Sequence, residues 1–266
     1  MIDTVLLTIL IISILLFAFI LLIKTKRKRS THQYSIPDES KKLLQEHVPF
    51  YQKLNDGQKK YFEQRVQHFL STTKITGVKT DVSELDKILV AASAIIPIFP
   101  FEDWEYNNLN EVLLYPESFN EDFELEAKDR SILGMVGTGH MQNVMVLSQH
   151  ELRQGFLNKT GKTNTAIHEF VHLVDKTDGA VDGIPENLMS NRYITPWIKL
   201  MHQKIREIRK GKTDIDPYGS TNEAEFFAVV SEYFFERPDL LTQKHPELYQ
   251  LLQEIFGKPL AEKAKP

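Results

Sequence analysis

The 266-residue sequence predicts an α+β domain, mostly helical with a small sheet, preceded by one N-terminal transmembrane helix. Apolar residues at helical spacing dominate the body of the chain. Two short apolar runs, Val112–Tyr115 and Asn143–Ser148, are typical of strands. The 20 residues from Thr4 to Ile23 carry no charge and are long enough to cross the roughly 30 Å of a hydrocarbon core.

The N-terminal segment predicts an uncleaved membrane anchor over residues 1–23. It is preceded by Asp3 rather than by a cation, and it ends without the small residues of a signal-peptide cleavage site. Five cations follow between Lys24 and Arg29, and this positive-inside bias places the body of the chain in the cytoplasm. A polar tether over 24–36, a folded domain over 37–260 and a tail over 261–266 complete the predicted single-pass membrane protein.

Composition narrows the functional classes. With 42% hydrophobic and 26% charged residues, the chain can build one sizeable core. The absence of cysteine excludes disulfides, cysteine nucleophiles and thiolate metal sites. The formal net charge of −4 includes the basic cluster after the membrane segment, so the body is more acidic than the total. An acidic body argues against nucleic acid as a partner.

Helices are predicted from apolar spacing along the domain. Apolar side chains recur at helical spacing around Leu43 and again from Tyr61 to Leu70. Leu85 to Ile96 is an apolar run that Pro97 and Pro100 are expected to end. A further, strongly apolar helix is expected to begin at about Asn222. These helices outnumber the two predicted strands.

The segment Thr163–Asp175 is predicted to form a helix that binds a metal ion. It begins with capping residues and contains neither proline nor glycine. His168 and His172 are four residues apart, so both imidazoles lie on one helix face and can bind one zinc ion. Glu169 lies beside the first ligand, where its carboxylate can reach a water molecule next to the metal. This is the arrangement of a general base in a zinc-dependent peptidase.

Two histidines leave a catalytic zinc short of one protein ligand. Glu225, near the start of the apolar helix, is one source, although from the residues alone a buried ion pair is an equal alternative. Glu223 is turned about 200° from it and is expected to face elsewhere. Asp175, three residues after His172, can accept a hydrogen bond behind the ligands. The isolated histidines are predicted to be surface or packing residues: His140, His150, His202 and His245.

Several stretches between about Pro37 and Phe256 form a combined signature: Tyr115–Pro116, Val146–Ser148, His168–Asp175, Asp182–Pro185, Tyr218–Phe235 and Pro246–Tyr249. With this signature the chain resembles the Mlc titration factor A (MtfA) family of zinc peptidases. The active site of that family is similar to that of the anthrax lethal factor catalytic domain, which is of the gluzincin type. The resemblance implies a zincin-like metallopeptidase domain.

The resemblance also implies particular roles. Zn²⁺ is expected on His168, His172 and Glu225, with Glu169 as general base and Tyr218 close to the metal. The expected substrate is a peptide or protein, and both aminopeptidase and endopeptidase activity stay open. A transcriptional regulator is a partner by resemblance only, because the soluble member of the family lacks the membrane segment found here.

The predicted reaction is attack of water on a peptide carbonyl, with Glu169 taking the proton and passing it to the leaving amine. The strand Asn143–Ser148 is expected to bind extended substrate through main-chain hydrogen bonds. The alternative is a membrane-tethered module that uses zinc only for its fold and sequesters a cytoplasmic regulator. A third interpretation is a regulator whose peptidase activity is incidental. Glu169 favours the peptidase, because a structural zinc site has no use for a base.

Overall fold

The computed structural model describes residues 36–102, 104–118, 134–136, 143–158 and 160–257. Helices predominate in these residues and four short strands form one sheet, which confirms the predicted mostly helical α+β class. The predicted membrane helix Thr4–Ile23, the tether apart from Ile36, and the tail 261–266 lie outside the described residues. Among the helices that are described, none combines the length and apolarity needed to cross a membrane.

Five helices begin at a residue whose side chain caps the first turn, and these capping residues lie in the polar stretches between the apolar runs. These caps are Asn55, Ser83, Ser148, Asn164 and Asn222. The helices in the described part of the chain are α1 (Asp38–His47), α2 (Pro49–Gln52), α3 (Asp56–Thr72), α4 (Glu84–Ile98), α5 (Gln149–Leu157), α6 (Thr165–Asp175), α7 (Asn191–Arg209), α8 (Glu223–Glu236), α9 (Pro238–Lys244) and α10 (Pro246–Phe256). Short 3₁₀ turns lie at Lys176–Asp178, Glu186–Leu188 and Pro217–Ser220.

The described sheet has the strand order β1-β2-β4-β3. Its strands are β1 (Lys74–Gly77), β2 (Glu111–Tyr115), β3 (Gly134–Val136) and β4 (Val144–Ser148). The pairs β1–β2 and β2–β4 are parallel, whereas β3 is antiparallel to β4. The prediction that the Asn143–Ser148 strand binds extended substrate is therefore wrong. Its two edges are already occupied by β2 and β3, which leaves β3 as the outer strand on that side of the described sheet.

Pro97 does not end its helix as the sequence predicts. Helix α4 continues through Pro97 to Ile98, and every residue from Ile88 to Phe99 is buried. A proline in the last turn removes only one main-chain donor. The apolar surface that the surrounding residues bury is large enough to offset that loss.

Helix α6 lies at the centre of the described fold, packed against α4, α8 and the strands β3 and β4. Phe170 of α6 is fully buried, and its ring lies 5.8 Å from Phe69 and 5.2 Å from Tyr106. This apolar packing fixes the rotation of α6 about its own axis. The face that carries His168 is consequently held towards α8.

Helix α8 is held from its other side by α7. Trp197 of α7 is fully buried, with its ring 6.1 Å from Phe226 and 5.8 Å from Phe227. Its indole N–H donates to the carbonyl of Gly183, 2.7 Å away, in the loop that follows α6. Gly183 has a φ of 75° and lies directly against the main chain of Glu223, so a side chain there would clash. The loop thereby fixes the beginning of α8 next to α6.

Candidate metal centre

Helix α6 begins at a polar N-cap buried in the core. The Asn164 side chain accepts a hydrogen bond from the Ile167 N–H at 3.2 Å and donates to Glu236 at 3.0 Å. Within the helix, Ile167 and Val171 are fully buried, while His168 retains 8% exposure. The cap satisfies N–H groups that a buried helix end would otherwise leave unpaired. The two histidines therefore project from a helix whose position is fixed at its start.

Three side chains from α6 and α8 converge in the way the sequence predicts. The Nε2 atoms of His168 and His172 lie 3.1 Å apart, and a carboxylate oxygen of Glu225 lies 2.9 Å from the first and 3.4 Å from the second. Tetrahedral zinc with bonds of roughly 2.0–2.1 Å has ligand atoms about 3.3 Å from one another. The three ligand atoms thus fit a single zinc ion without any large movement.

Glu225 is placed in the first turn of α8 by a second cap. The Asn222 side chain accepts a hydrogen bond from the Glu225 N–H at 2.8 Å. Burial raises the pKa of the Glu225 carboxyl, but the hydrogen bonds with His168 and His172 outweigh it and hold the pKa at about 2. Glu223 faces away, as predicted, and its carboxylate lies 3.4 Å from His202. The open alternative of an ion pair with lysine or arginine at Glu225 has no support in these contacts.

A second carboxylate of α8 lies behind the cluster, and sequence reasoning missed it. Glu232 is buried and accepts a hydrogen bond from Nδ1 of His168 at 2.7 Å. Its other oxygen accepts the main-chain N–H of Asn164. Glu232 follows Glu225 by seven residues, which places both on one face of α8. The sequence signal that could have revealed Glu232 is an acidic residue in a strongly apolar helix, because a buried carboxylate needs hydrogen-bond partners.

Asp175 accepts its hydrogen bond from the loop after α6 rather than from an imidazole of the cluster. Within the described structure, Nδ1 of His172 and Oδ1 of Asp175 are both buried and have no hydrogen-bond partner. The other oxygen of Asp175 accepts the Gly183 N–H at 2.8 Å. Asp175 is the last residue of α6, so its side chain follows the chain into the next loop. Burial raises its pKa to about 6.

Glu169 lies against β3. It is buried, and a Cβ atom added at Gly134 would come within 2.7 Å of its Cγ and 2.9 Å of Oε1. Gly134 therefore leaves the space that this side chain occupies. Burial raises the pKa of the Glu169 carboxyl, and the nearby imidazoles of His168 and His172 oppose the rise. A carboxylate with a raised pKa next to this group of candidate metal ligands is suited to accept a proton.

Tyr218 lies at the mouth of the cluster on the 3₁₀ turn Pro217–Ser220. Its N–H donates to the Asp216 side chain at 2.9 Å, which fixes the turn. The Tyr218 ring is 5.9 Å from the His168 ring and 55% exposed. Burial, followed by the charges of Glu225 and Glu169, raises the pKa of the phenol and favours its protonated, hydrogen-bond-donating form. The structure thus places the Tyr218 ring beside that of His168.

The other histidines singled out in the sequence lie away from the cluster where the structure describes them. His150 is exposed, with its nearest carboxylate, Glu151, 3.9 Å away, and His202 pairs with Glu223. His245 is buried and lies 2.8 Å from Asp214. His140 lies outside the described residues.

Two histidines four residues apart on one buried helix, completed by a glutamate from a second helix, are the ligand set of a metal-dependent hydrolase. The comparison with known families agrees with this class. The chain belongs to the family of glucose-regulated metallo-peptidase M90, whose model matches residues 22–257. That match covers nearly the whole chain, so the chain is of the metallopeptidase type.

Individual relatives extend over the same region. A protein of Synechocystis sp. described as uncharacterized is 27% identical over 243 residues, which cover 86% of this chain and 87% of the relative. Mlc titration factor A of Escherichia fergusonii is 31% identical over 195 residues, covering 66% and 70%. Mlc titration factor A of Escherichia coli is 25% identical over 248 residues, covering 87% and 89%. The predicted resemblance to the Mlc titration factor A family is confirmed.

Proposed function

We propose that this protein is a zinc-dependent peptidase in which His168, His172 and Glu225 bind the metal ion. The observation that carries the proposal is the convergence of their three ligand atoms within 3.4 Å of one another. Two imidazoles and one carboxylate form a set that zinc uses in catalytic sites, where a further position stays open. The neighbouring Glu169 supplies a general base, which a purely structural zinc site does not need.

Zinc bound by these residues would supply Lewis acidity, which activates water and polarises a peptide carbonyl. Glu169 is the general base in this proposal. It takes a proton from the attacking water and delivers it to the leaving amine. Its buried position against Gly134 supports this role, because the raised pKa brings the carboxyl closer to neutral pH.

Two further features bind the substrate in this proposal. The Tyr218 phenol, near the His168 ring, donates a hydrogen bond to the oxyanion that forms on the peptide carbonyl. Strand β3, the outer strand on its side of the described sheet, receives extended peptide through its main chain. Because Gly134 of this strand lies against Glu169, a peptide along β3 would pass next to the general base. Main-chain recognition of this kind gives modest sequence preference.

We propose further that residues 4–23 anchor the protein in the membrane as a single helix, with the peptidase domain in the cytoplasm. The uncharged segment and the cations that follow it support this arrangement. Proteolysis of intact and lysed inverted membrane vesicles tests it. The domain is expected to be cut in both, and protection in the intact inverted vesicles would contradict the cytoplasmic location.

The central test uses the full chain in detergent micelles. The wild type is expected to contain one zinc ion and to cleave members of a peptide library, and a chelator is expected to abolish the cleavage. Glu169→Gln is expected to keep the zinc and to lower kcat by about 10²–10⁴-fold, the usual contribution of general acid–base catalysis. Full turnover by a zinc-loaded Glu169→Gln protein would refute the assignment of the base.

The second candidate function is a zinc-stabilised binding module that sequesters a regulator. The name of the relatives, Mlc titration factor A, is the observation that favours it. The Glu169→Gln protein separates the two functions. A module holds an intact partner in both forms, whereas a peptidase releases cleaved products only in the wild type.

A further inference from the structure

Glu232 is the buried acidic group of the site that the proposed reaction does not use. It retains 4% exposure, and each of its oxygens has a hydrogen-bond partner on α6. One partner is the His168 ring and the other is the main chain of Asn164. Glu232 thus joins a metal-facing side chain to the N-cap of the helix that carries it.

The contact determines which nitrogen of His168 faces the cluster. An ionised carboxylate only accepts hydrogen bonds, so Nδ1 of His168 carries the proton and donates it to Glu232. The other nitrogen, Nε2, faces the cluster, 2.9 Å from Glu225 and 3.1 Å from His172, and its lone pair becomes free for a metal ion once it has lost its own proton. A metal ligand needs this tautomer.

The second histidine has no equivalent support in the described structure. Nδ1 of His172 is buried without a partner, and the same holds for the oxygen of Asp175 that could have reached it. The two imidazoles are therefore supported unequally. His168 is oriented by the protein before the metal arrives, whereas the orientation of His172 depends more on its helix and on the metal.

We propose that Glu232 is the positioning residue that sets the tautomer of His168 and thereby the zinc affinity of the site. The proposal rests on the zinc site proposed above. The proposal predicts that glutamine cannot replace Glu232. A carboxylate has two oxygens that accept hydrogen bonds, whereas an amide has only one. A glutamine at position 232 can accept from His168 or from Asn164, but its amino group then faces the other donor or favours the wrong tautomer.

The test compares Glu232→Gln with the wild type as full chains in detergent. The dissociation constant of zinc is measured by competition with a chromogenic chelator. We expect Glu232→Gln to bind zinc about 10–100-fold more weakly, the range for loss of such a hydrogen bond. In the Co²⁺ form its visible absorption is also expected to shift, because His168 no longer binds in the same orientation. A purely structural role would leave that spectrum unchanged.

Glu236→Gln is the matched control. Glu236 lies one turn further along α8 and also accepts a hydrogen bond from Asn164, but through the asparagine side chain and without touching a histidine. Its zinc affinity is expected to stay within about two-fold of the wild type. A tenfold loss in this variant as well would assign the effect to the N-cap of α6 and overturn the proposal.

The remaining outcomes are also decisive. Unchanged zinc affinity in Glu232→Gln overturns the positioning role alone, whereas a wild type that binds no zinc overturns the proposed function. If Glu232→Gln does not fold, ¹⁵N-histidine spectra of the zinc-loaded wild type replace it, with His168 assigned by specific labelling. A protonated Nδ1 on His168 supports the proposal, and zinc bound through Nδ1 contradicts it.

Discussion

Carboxylates surround the two imidazoles from three directions. Glu169 follows His168 on α6, Glu225 faces both rings, and Glu232 lies behind the first ring. Burial lowers the pKa of His168, but hydrogen bonds with Glu225 and Glu232 raise it well above its ordinary value. The site therefore favours positive charge between its carboxylates, which is the electrostatic condition for binding a metal cation.

Gly134→Ala is expected to lower kcat/KM at least tenfold while zinc remains bound. The new Cβ would lie within 2.7 Å of the Glu169 side chain, and a displacement of even about 1 Å at a catalytic group costs roughly 10²-fold. The metal ligands are not among the nearest atoms to this Cβ. Steady-state kinetics and zinc content, measured on the same preparation, check the prediction.

Gly57→Ala in α3 is the control for this change. Its added Cβ meets only the Asn55 side chain, at an ordinary contact distance of 3.5 Å. Activity is expected to stay at the wild-type level. If Gly134→Ala were as active as Gly57→Ala, the close approach of β3 to Glu169 would have no catalytic consequence.

The roles of individual residues could be predicted from the sequence where they depend on spacing along one helix. His168, Glu169 and His172 follow from a five-residue pattern. Glu225 needed the family resemblance as well, because an ion pair was an equal alternative. The contacts of Glu232 and Asp175 depend on the tertiary packing around α6, which no local pattern determines.

At the scale of elements, Asp214 ties together the segments around the Tyr218 turn. Its carboxylate accepts hydrogen bonds from the Tyr233 hydroxyl at 2.9 Å and from His245 at 2.8 Å. The amino groups of Lys162 and Lys244 each lie 3.1 Å away. These partners come from the segment before α6, from α8, from α9 and from the junction with α10. Asp214 therefore fixes the loop that leads from α7 to the Tyr218 turn.

Asp214→Asn is expected to lower the free energy of unfolding at pH 7 by roughly 1–3 kcal/mol, the range for a hydrogen-bonded charged group. Burial raises the pKa of this carboxyl, but the hydrogen bonds from His245, Tyr233 and the lysines outweigh it and hold the pKa well below its ordinary value. The ionised carboxylate stabilises the folded form fully above the unfolded pKa of about 3.9, and this contribution is lost progressively as pH falls from there through the lower pKa of the folded form. The difference between wild type and variant should shrink below pH 4.

Urea denaturation of the metal-free proteins at pH 7 and pH 2.5 checks this pH dependence. Asp239→Asn is the control, because the Asp239 side chain is exposed and its ion pair with Arg237 is long, at 3.5 Å. It is expected to change stability by less than about 0.5 kcal/mol at either pH. A constant difference between Asp214→Asn and the wild type across this range would show that the carboxylate charge is not what stabilises the loop.

Elements were predictable when they were long and apolar. The helices around the metal centre and the strands β2 and β4 were predicted near their observed positions. Strands β1 and β3, with four and three residues, were missed, because such short segments depend on pairing with a neighbour. Strand order is equally non-local, so the sequence could not show that β4 is an inner strand. Pro97 was misjudged because burial outweighed one lost donor.

At the scale of the molecule, the metal centre lies between two helices of the core. His168 and His172 come from α6 and Glu225 from α8, and these helices pack directly against each other. An ion bound to both, as proposed, would be present only when the helices are docked. Metal binding and folding would therefore be linked by mass action.

Zinc is expected to raise the thermal stability of the full chain. At a free zinc concentration 100 times the dissociation constant, the folded state gains about 2.7 kcal/mol. For a domain of this size that corresponds to an increase in Tm of about 5–10 °C. Thermal denaturation followed by circular dichroism, with zinc and with a chelator, checks the value. His172→Ala should show little response to zinc, and an equal response would place the stabilising ion elsewhere.

The domain organisation was predictable only within limits. The sequence predicted the α+β class and a domain from about residue 37, because composition and apolar spacing act over long stretches. The membrane anchor and its orientation stay predictions, since residues 1–35 lie outside the described structure. The packing of α7 against α8 had no local signal, because neither helix carries a motif for the other.

That packing has a spectroscopic consequence. The chain contains two tryptophans, and Trp197 is the one buried against α8, with its indole N–H bonded to the loop after α6. Its fluorescence arises in an apolar environment at the junction that fixes the beginning of α8. Separation of α8 from α7 would expose this indole to water and move its emission to longer wavelengths. The protein thus carries an intrinsic optical probe packed against the helix that supplies Glu225.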